Sequence, residues 1–232
     1  PCAEVEMIPP LIVSTALENG INLIAITDHN AIANVSAVQK AADNSGLTVL
    51  PGIELQTREE VHVLGLFDRL DQLVSLQSII EQLLPNQKND PEFLGEQFVV
   101  DETGNFLRRE ERLLLTSVNL SIEKAFAYIN HLGGLAIPAH VDRKAFGLLA
   151  NLGLIPPDLH VEVLEISRHL TIKEARQKFP QLNNYPLIQS GDVHRLDEFL
   201  GANLFDMATP TIAEIRLALG GQQGRKLTTG MK

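Results

Sequence analysis

The sequence predicts an α/β protein with a parallel sheet, either open and doubly wound or closed into a barrel. Short apolar runs alternate with amphipathic stretches of about 10 to 15 residues, which is the rhythm of βα units. No GxGxxG and no P-loop pattern occurs in the sequence, so the nucleotide-binding versions of that class lose their usual support.

Pro9 and Pro10 start a first helix whose apolar residues Leu11, Ile12, Ala16 and Leu17 recur at helical spacing, and Gly20 caps it. Leu23 to Thr27 reads as a buried strand. A second helix is expected over Ala31 to Asn44 with Asn30 as its N-cap, and Gly46 then precedes the strand Leu47 to Leu50. Val61 to Gly65 is a further short strand. The rhythm breaks between Asp68 and Leu120. There a helix around Leu70 to Leu84, a polar stretch and a hairpin turning at Asp101 to Asn105 read as a surface insertion, about residues 69–120. Ser121 opens the next helix, ended by Gly133 and Gly134, and Leu135 to Pro138 is a strand. Another strand is expected over Val161 to Ile166. Thr171 and Glu174 form a capping box, Pro180 stops that helix, and Pro186 to Gln189 is another strand. A last unit runs from Leu204 to Met207 into a helix around Thr211 to Leu219.

The chain has 232 residues, 44% of them apolar, and a formal net charge of −10. One domain spanning 1–232 with that insertion is expected. The longest apolar runs fall far short of the ~20 residues a membrane span needs, no basic-then-apolar leader opens the chain, and a soluble cytoplasmic protein is expected. The acidic balance argues against a broad phosphate-backbone footprint, so an anionic ligand needs a local source of positive charge. The single cysteine, Cys2, excludes an internal disulfide framework.

The residues able to do chemistry stand at the strand ends. Leu23–Thr27 ends in Asp28 and His29; Leu47–Ile53 ends in Glu54; Leu135–Ala139 ends in His140; Pro186–Gly191 ends in Asp192, Val193 and His194; and His62 sits within the short strand at Val61. Parallel α/β folds gather such residues on one face, and imidazoles with carboxylates make a metal site. Asp28 is read either as a ligand or as a residue that orients His29. His131 suits a helix C-terminus, and His160 and His169 suit polar loops or strand ends.

Thr27-Asp-His-Asn30, Pro51-Gly-Ile-Glu54, Glu60-Val-His-Val-Leu-Gly65, Pro138-Ala-His140 and Ser190-Gly-Asp-Val-His194 resemble the successive motifs of the PHP (polymerase and histidinol phosphatase) family, out to about Gly201. The resemblance implies a distorted (βα)7 barrel holding two or three divalent cations, Zn, Mn or Fe, for phosphoester hydrolysis. It makes Glu54 a bridging carboxylate, with His62 and His140 completing one metal, Asp192 serving a second, and His29 and His194 a third. Glu54, Asp192 and His194 are the implied catalytic set. The family's opening His-x-His is absent, and Pro1 is expected to fall just downstream of it in a truncated first strand. Cys2 then falls near the position of a further ligand and is a candidate for the third metal. On this reading the second metal is left with Asp192 and Glu54, and the chain as given is expected to be incomplete or inactive.

Cations would reconcile an acidic protein with an anionic substrate. Arg143 and Arg168 are candidate phosphate clamps and Arg195 a weaker third. With 5% aromatic residues and no Trp there are few stacking platforms for single strands, so a small phosphate ester, a nucleotide or phosphorylated metabolite, is favoured over a nucleic-acid end. A metal-binding module without turnover and an exonuclease are the alternatives.

Overall fold

The computed structural model describes residues 3–230. The helices are α1 (Pro9–Glu18), α2 (Val35–Ala41), α3 (Leu70–Leu83), α4 (Pro91–Leu94), α5 (Ile122–His131), α6 (Leu148–Leu152), α7 (Ile172–Lys178) and α8 (Ile212–Leu219). The strands are β1 (Leu23–Ile26), β2 (Thr48–Gln56), β3 (His62–Leu66), β4 (Phe98–Val100), β5 (Phe106–Arg109), β6 (Leu135–Pro138), β7 (Leu164–Ser167), β8 (Leu187–Ser190), β9 (Asn203–Asp206) and β10 (Lys226–Thr229).

The main sheet has the order β1-β2-β3-β6. β1 and β2 are parallel, but β3 is antiparallel to both of its neighbours, so the sheet is mixed rather than parallel. The cause is local. β2 turns directly into β3 through Thr57–Val61, with the Thr57 N–H donating to the Val61 carbonyl, and so short a link cannot carry a crossover. Reversing β3 leaves β6 parallel to β2, so the strands that follow helices still share one direction. β7 and β8 form a separate parallel pair, tied to β6 by the Val141 N–H donating to the Glu165 carbonyl. No closed barrel forms among the described residues. β9 and β10 pair antiparallel, and β10 is a strand that the polar run Lys226–Thr229 does not announce.

The helices bury the faces their sequences advertise. Ile122, Ala125, Phe126 and Ile129 of α5 and Leu73, Leu76 and Ile80 of α3 join Ile53, Leu55 and Val63 in one core. Fully burying such a side chain contributes about 1.5–3 kcal/mol, so α3 is part of the fold's foundation and not a surface addition. Beyond it α4 is exposed, and so is β5 along its whole length. Ser121, Thr171 and Thr211 cap their helices by accepting the N–H three residues on.

Asn30 is not an N-cap. It has φ 50° and is fully buried, and α2 begins only at Val35. Its amide nitrogen donates to the carbonyls of Leu114 and Thr116 at 2.9 and 2.8 Å, and its amide oxygen accepts the Gln56 N–H at 3.2 Å. The side chain thus ties the end of β1 to β2 and to the far end of the 69–120 segment. Asn30→Ala should lower the unfolding free energy by about 3 kcal/mol, because buried backbone groups lose their partners. Urea denaturation followed by circular dichroism measures it.

Candidate metal centre

Period-two alternation sets the centre's floor. Along β2, Ile53 and Leu55 point into the core, so Glu54 points to the opposite face. His29 extends the parallel β1–β2 pairing as a bridge to Glu54, and His62 pairs with Gln56, which puts both imidazoles on the Glu54 face. His140 follows β6, and Asp192 follows β8.

The turns that aim these residues are tight. His140 and Asp192 have φ 31° and 48°, in the left-handed region that non-glycine residues seldom occupy and that recurs at functional sites. A Cβ at Gly147 would collide with the Arg143 carbonyl oxygen, and one at Gly191 with that of Glu198. Glycine is therefore required where each loop folds back on itself.

Glu54 is 5% exposed and shared between imidazoles. Its Oε2 lies 3.2 Å from His29 Nδ1, and its Oε1 lies 2.9 Å from His62 Nδ1 and 3.4 Å from His140 Nε2. His62 Nδ1 and His140 Nε2 are themselves 3.2 Å apart. Burial works against ionising Glu54, but hydrogen bonds from His140 and His62, with the charge of His62 and His29, hold its carboxyl well below the usual range. Burial likewise pushes the His62 imidazole down, only partly offset by Glu54. His62 Nε2 and His140 Nδ1 have no hydrogen-bond partner among the described residues, and Phe146 instead fixes the His62 ring by stacking at 4.5 Å.

The triangle of His62 Nδ1, His140 Nε2 and Glu54 Oε1 fits a divalent cation. Ligands bonded at about 2.0–2.2 Å to one tetrahedral or octahedral ion sit about 3.0–3.5 Å from each other, as these do. Two groups have donor atoms within 4.8 Å of one another: His29, Glu54 and His62, and Glu54, His140 and Asp192. Glu54 belongs to both, so Asp192 joins His140 through the shared carboxylate. His194 falls outside both groups. Its ring lies 6.2 Å from that of His29, and its Nδ1 donates to the Asp192 carbonyl at 2.7 Å. Asp28 is exposed, and its carbonyl accepts the Glu54 N–H. Cys2 lies outside the described residues.

The expected clamps are engaged within the protein. Arg143 pairs with Asp192, Arg168 with Glu198 at 2.5 Å, and Arg195 with Glu4 at 2.5 Å. His131, His160 and His169 are all exposed and belong to neither ligand group.

Glu165 is the residue that reading the sequence misses. It lies inside β7 between Leu164 and Ile166, where it looks like an ordinary alternating strand residue, yet it is 4% exposed and its Oε1 accepts the His140 N–H at 3.1 Å. Burial, reinforced by the charges of Glu54, Asp192 and Asp142, pushes its carboxyl up to about 8, with only the His140 N–H opposing. No local signal marks it, because only the fold brings β7 against His140.

An α/β fold whose strand ends gather His, Glu and Asp into a cation-sized cluster defines the class: a PHP-type fold with a candidate metal centre. No protein-family model matches the chain. The solved structure of Endonuclease Q from Pyrococcus furiosus, a lesion-specific endonuclease, superposes with a TM-score of 0.68 and 20% identity over 97% of this chain. A two-domain protein from Bacteroides vulgatus, described as containing a PHP-like metal-dependent phosphoesterase, superposes with a TM-score of 0.54 at 12% identity, covering 99% of this chain and 62% of that one. At such identities the likeness establishes the fold. A 5′-3′ exoribonuclease from Haemophilus influenzae (strain ATCC 51907 / DSM 11121 / KW20 / Rd) is 34% identical over 65 residues, 26% of this chain. The chain spans 54% of the endonuclease and the match covers 24% of the exoribonuclease.

Glu165 gives the metal-free protein a pH signature. Its folded value of about 8 exceeds the unfolded 4.5, so the folded state holds the extra proton between them. That contribution is complete below about pH 4.5 and is lost as pH rises through 8, at up to about 1.4 kcal/mol per pH unit. In EDTA the urea midpoint should fall from pH 5 to pH 8, and Glu165→Gln should flatten the decline.

Proposed function

We propose that the chain is a metal-dependent phosphoesterase that hydrolyses a small phosphate ester, a nucleotide or phosphorylated metabolite, with Glu54 as its central ligand. The observation that supports this best is the one carboxylate facing two sets of imidazole donors, with both oxygens engaged. His62 and His140 would hold one cation with Glu54; Asp192, with the shared Glu54, would serve a second; and His29, His194 and Cys2 are proposed for a third. When bound, zinc, manganese or iron would supply positive charge to the phosphoryl oxygens and acidify water to near-neutral pKa.

The chain's own groups set the rest. Donation from His194 Nδ1 to the Asp192 carbonyl, which can only accept, holds the ring against the turn that carries Asp192. Arg143 pairs with Asp192, and its guanidinium is proposed to contact a phosphate bound at the cluster. Glu165 orients the His140 backbone through its Oε1. Arg168, through Glu198, braces the same turn, because Glu198 also accepts the His194 N–H at 2.7 Å. Among the described residues no helix is long and apolar enough to cross a membrane.

A nuclease is the second reading. It is favoured by the superposition on Endonuclease Q, including its complex with a 27-mer duplex carrying an abasic lesion at the active site (TM-score 0.67, 20% identity), and by the exoribonuclease segment.

Glu54→Ala should lose bound divalent metal and more than about 100-fold of the hydrolysis of p-nitrophenyl phosphate esters, since even residues behind the ligands cost 10–100-fold. Metal analysis and a phosphatase panel check it. Metal retained in the variant sinks the assignment; metal bound by the parent without hydrolysis leaves a non-catalytic module. A short oligonucleotide in the panel separates nuclease from phosphatase. Arg143→Ala should raise KM about ten-fold with metal content unchanged, the worth of one charged hydrogen-bonded contact, read from initial rates over a substrate series.

A further inference from the structure

Among the described residues the exposed phenylalanines are Phe93, Phe98 and Phe106, all on one segment. Phe98 and Phe106 stand on the β4–β5 hairpin, edge to face, with ring centroids 5.6 Å apart at 89°. The Arg109 guanidinium lies 5.8 Å from one ring centre and 5.9 Å from the other. More than half of Phe106 faces solvent, an exposure that the folded chain leaves uncompensated.

The hairpin also helps to line a cavity that reaches part of the cluster. One space of about 1480 Å³ is lined by His29, Glu54, Asp192 and His194 and also by Phe98, Phe106 and Arg109. That exceeds the roughly 300–1000 Å³ of an ordinary small-ligand pocket and leaves room beyond a phosphoryl group.

Its position is fixed rather than adjustable. The Asn34 side chain donates to the Phe98 carbonyl and accepts the Val100 N–H, both at 3.0 Å, and Gln97 spans the base of the hairpin through the Glu110 and Arg112 carbonyls. Asn30, next to His29, holds Leu114 and Thr116 beyond it. The backbone of the hairpin is therefore tied to the segment that follows His29.

Charge decides what the platform reads. Arg109 pairs with Glu96 at 2.8 Å and Arg108 with Glu110 at 2.9 Å, so the hairpin offers no surplus positive charge for a run of phosphates. What remains is aromatic faces beside a guanidinium, the chemistry that stacks a nucleobase.

We propose that Phe98, Phe106 and Arg109 form a stacking platform for the base of a nucleotide, or of the terminal nucleotide of a strand, whose phosphate lies at the cluster. This rests on the phosphoesterase reading and narrows its substrate class to base-bearing phosphates.

The test compares two phosphates, 5′-AMP and ribose 5-phosphate, that differ by the base. Both compete with fluorescent 2-aminopurine riboside 5′-monophosphate for the manganese-loaded full chain. Stacking should quench the fluorophore, and 5′-AMP should displace it at about ten-fold lower concentration than ribose 5-phosphate, within the range that one stacked base supplies. Phe98→Ala/Phe106→Ala should abolish the quenching and bring the two competitors level, while Phe98→Tyr/Phe106→Tyr should restore the preference. Should the alanine pair lower the urea midpoint, Arg109→Ala serves instead and should weaken 5′-AMP alone. Equal competition in the parent, or an unchanged preference in the variants, overturns the proposal. So does a dimer in sedimentation velocity that the alanine pair dissolves without touching the preference, since the rings would then be a self-association surface. A base preference with no hydrolysis of any phosphate ester sinks the phosphoesterase reading and keeps the platform; hydrolysis without base preference does the reverse.

Discussion

A carboxylate with only 5% of its surface exposed cannot stand alone, and the arrangement around Glu54 is a consequence of that. An isolated buried carboxylate would be driven to protonate; three imidazoles contact this one, and their hydrogen bonds and charges keep it ionised against burial. The same requirement brings together the ends of β1 and β6 and the start of β3. Glu165, which feels the charge of Glu54, shows the contrary outcome. It receives one backbone N–H and faces three other carboxylates, so its proton is retained up to about pH 8. Two buried acids in one cluster thus differ in charge because only one is surrounded by bases.

Such precision needs a rigid frame. Ile53 and Leu55 flank Glu54 with no exposure at all, so the strand cannot rotate the carboxylate without dismantling the core. The frame carries strain at the aiming points, where His140 and Asp192 adopt positive φ. Those conformations persist because the surrounding loops over-determine them, through the Arg143 N–H on the His140 carbonyl and the Ser190 hydroxyl on the Asp192 N–H.

Net charge of −10 and a candidate anionic substrate are compatible because charge acts locally. The arginines nearest the cluster are paired with acids, so the cluster's affinity for a phosphate would depend on the cations it holds. The exposed hairpin adds contact of another kind, in which aromatic faces rather than charges discriminate.

Residues at the ends of β1, β2, β6 and β8 were legible as a site because a short apolar run ending in His or Asp is a local pattern, and helix caps such as Ser121 and Thr171 were legible for the same reason. Three features were not. The reversal of β3 depends on how a five-residue turn packs, and it makes the sheet mixed where a parallel one was expected. Asn30 looked like a helix cap because its type suits one, yet its partners lie 26 to 86 residues away. Glu165 sits within a strand whose local pattern is ordinary, and only its burial beside His140 marks it. Sequence by itself determined which side chains could do chemistry and where strands and helices would start and stop, since those are set by neighbours within a few positions. Tertiary structure decided which of them meet, because burial, shared ligands and shifted proton affinities come from residues that only the folded chain brings within a few ångströms.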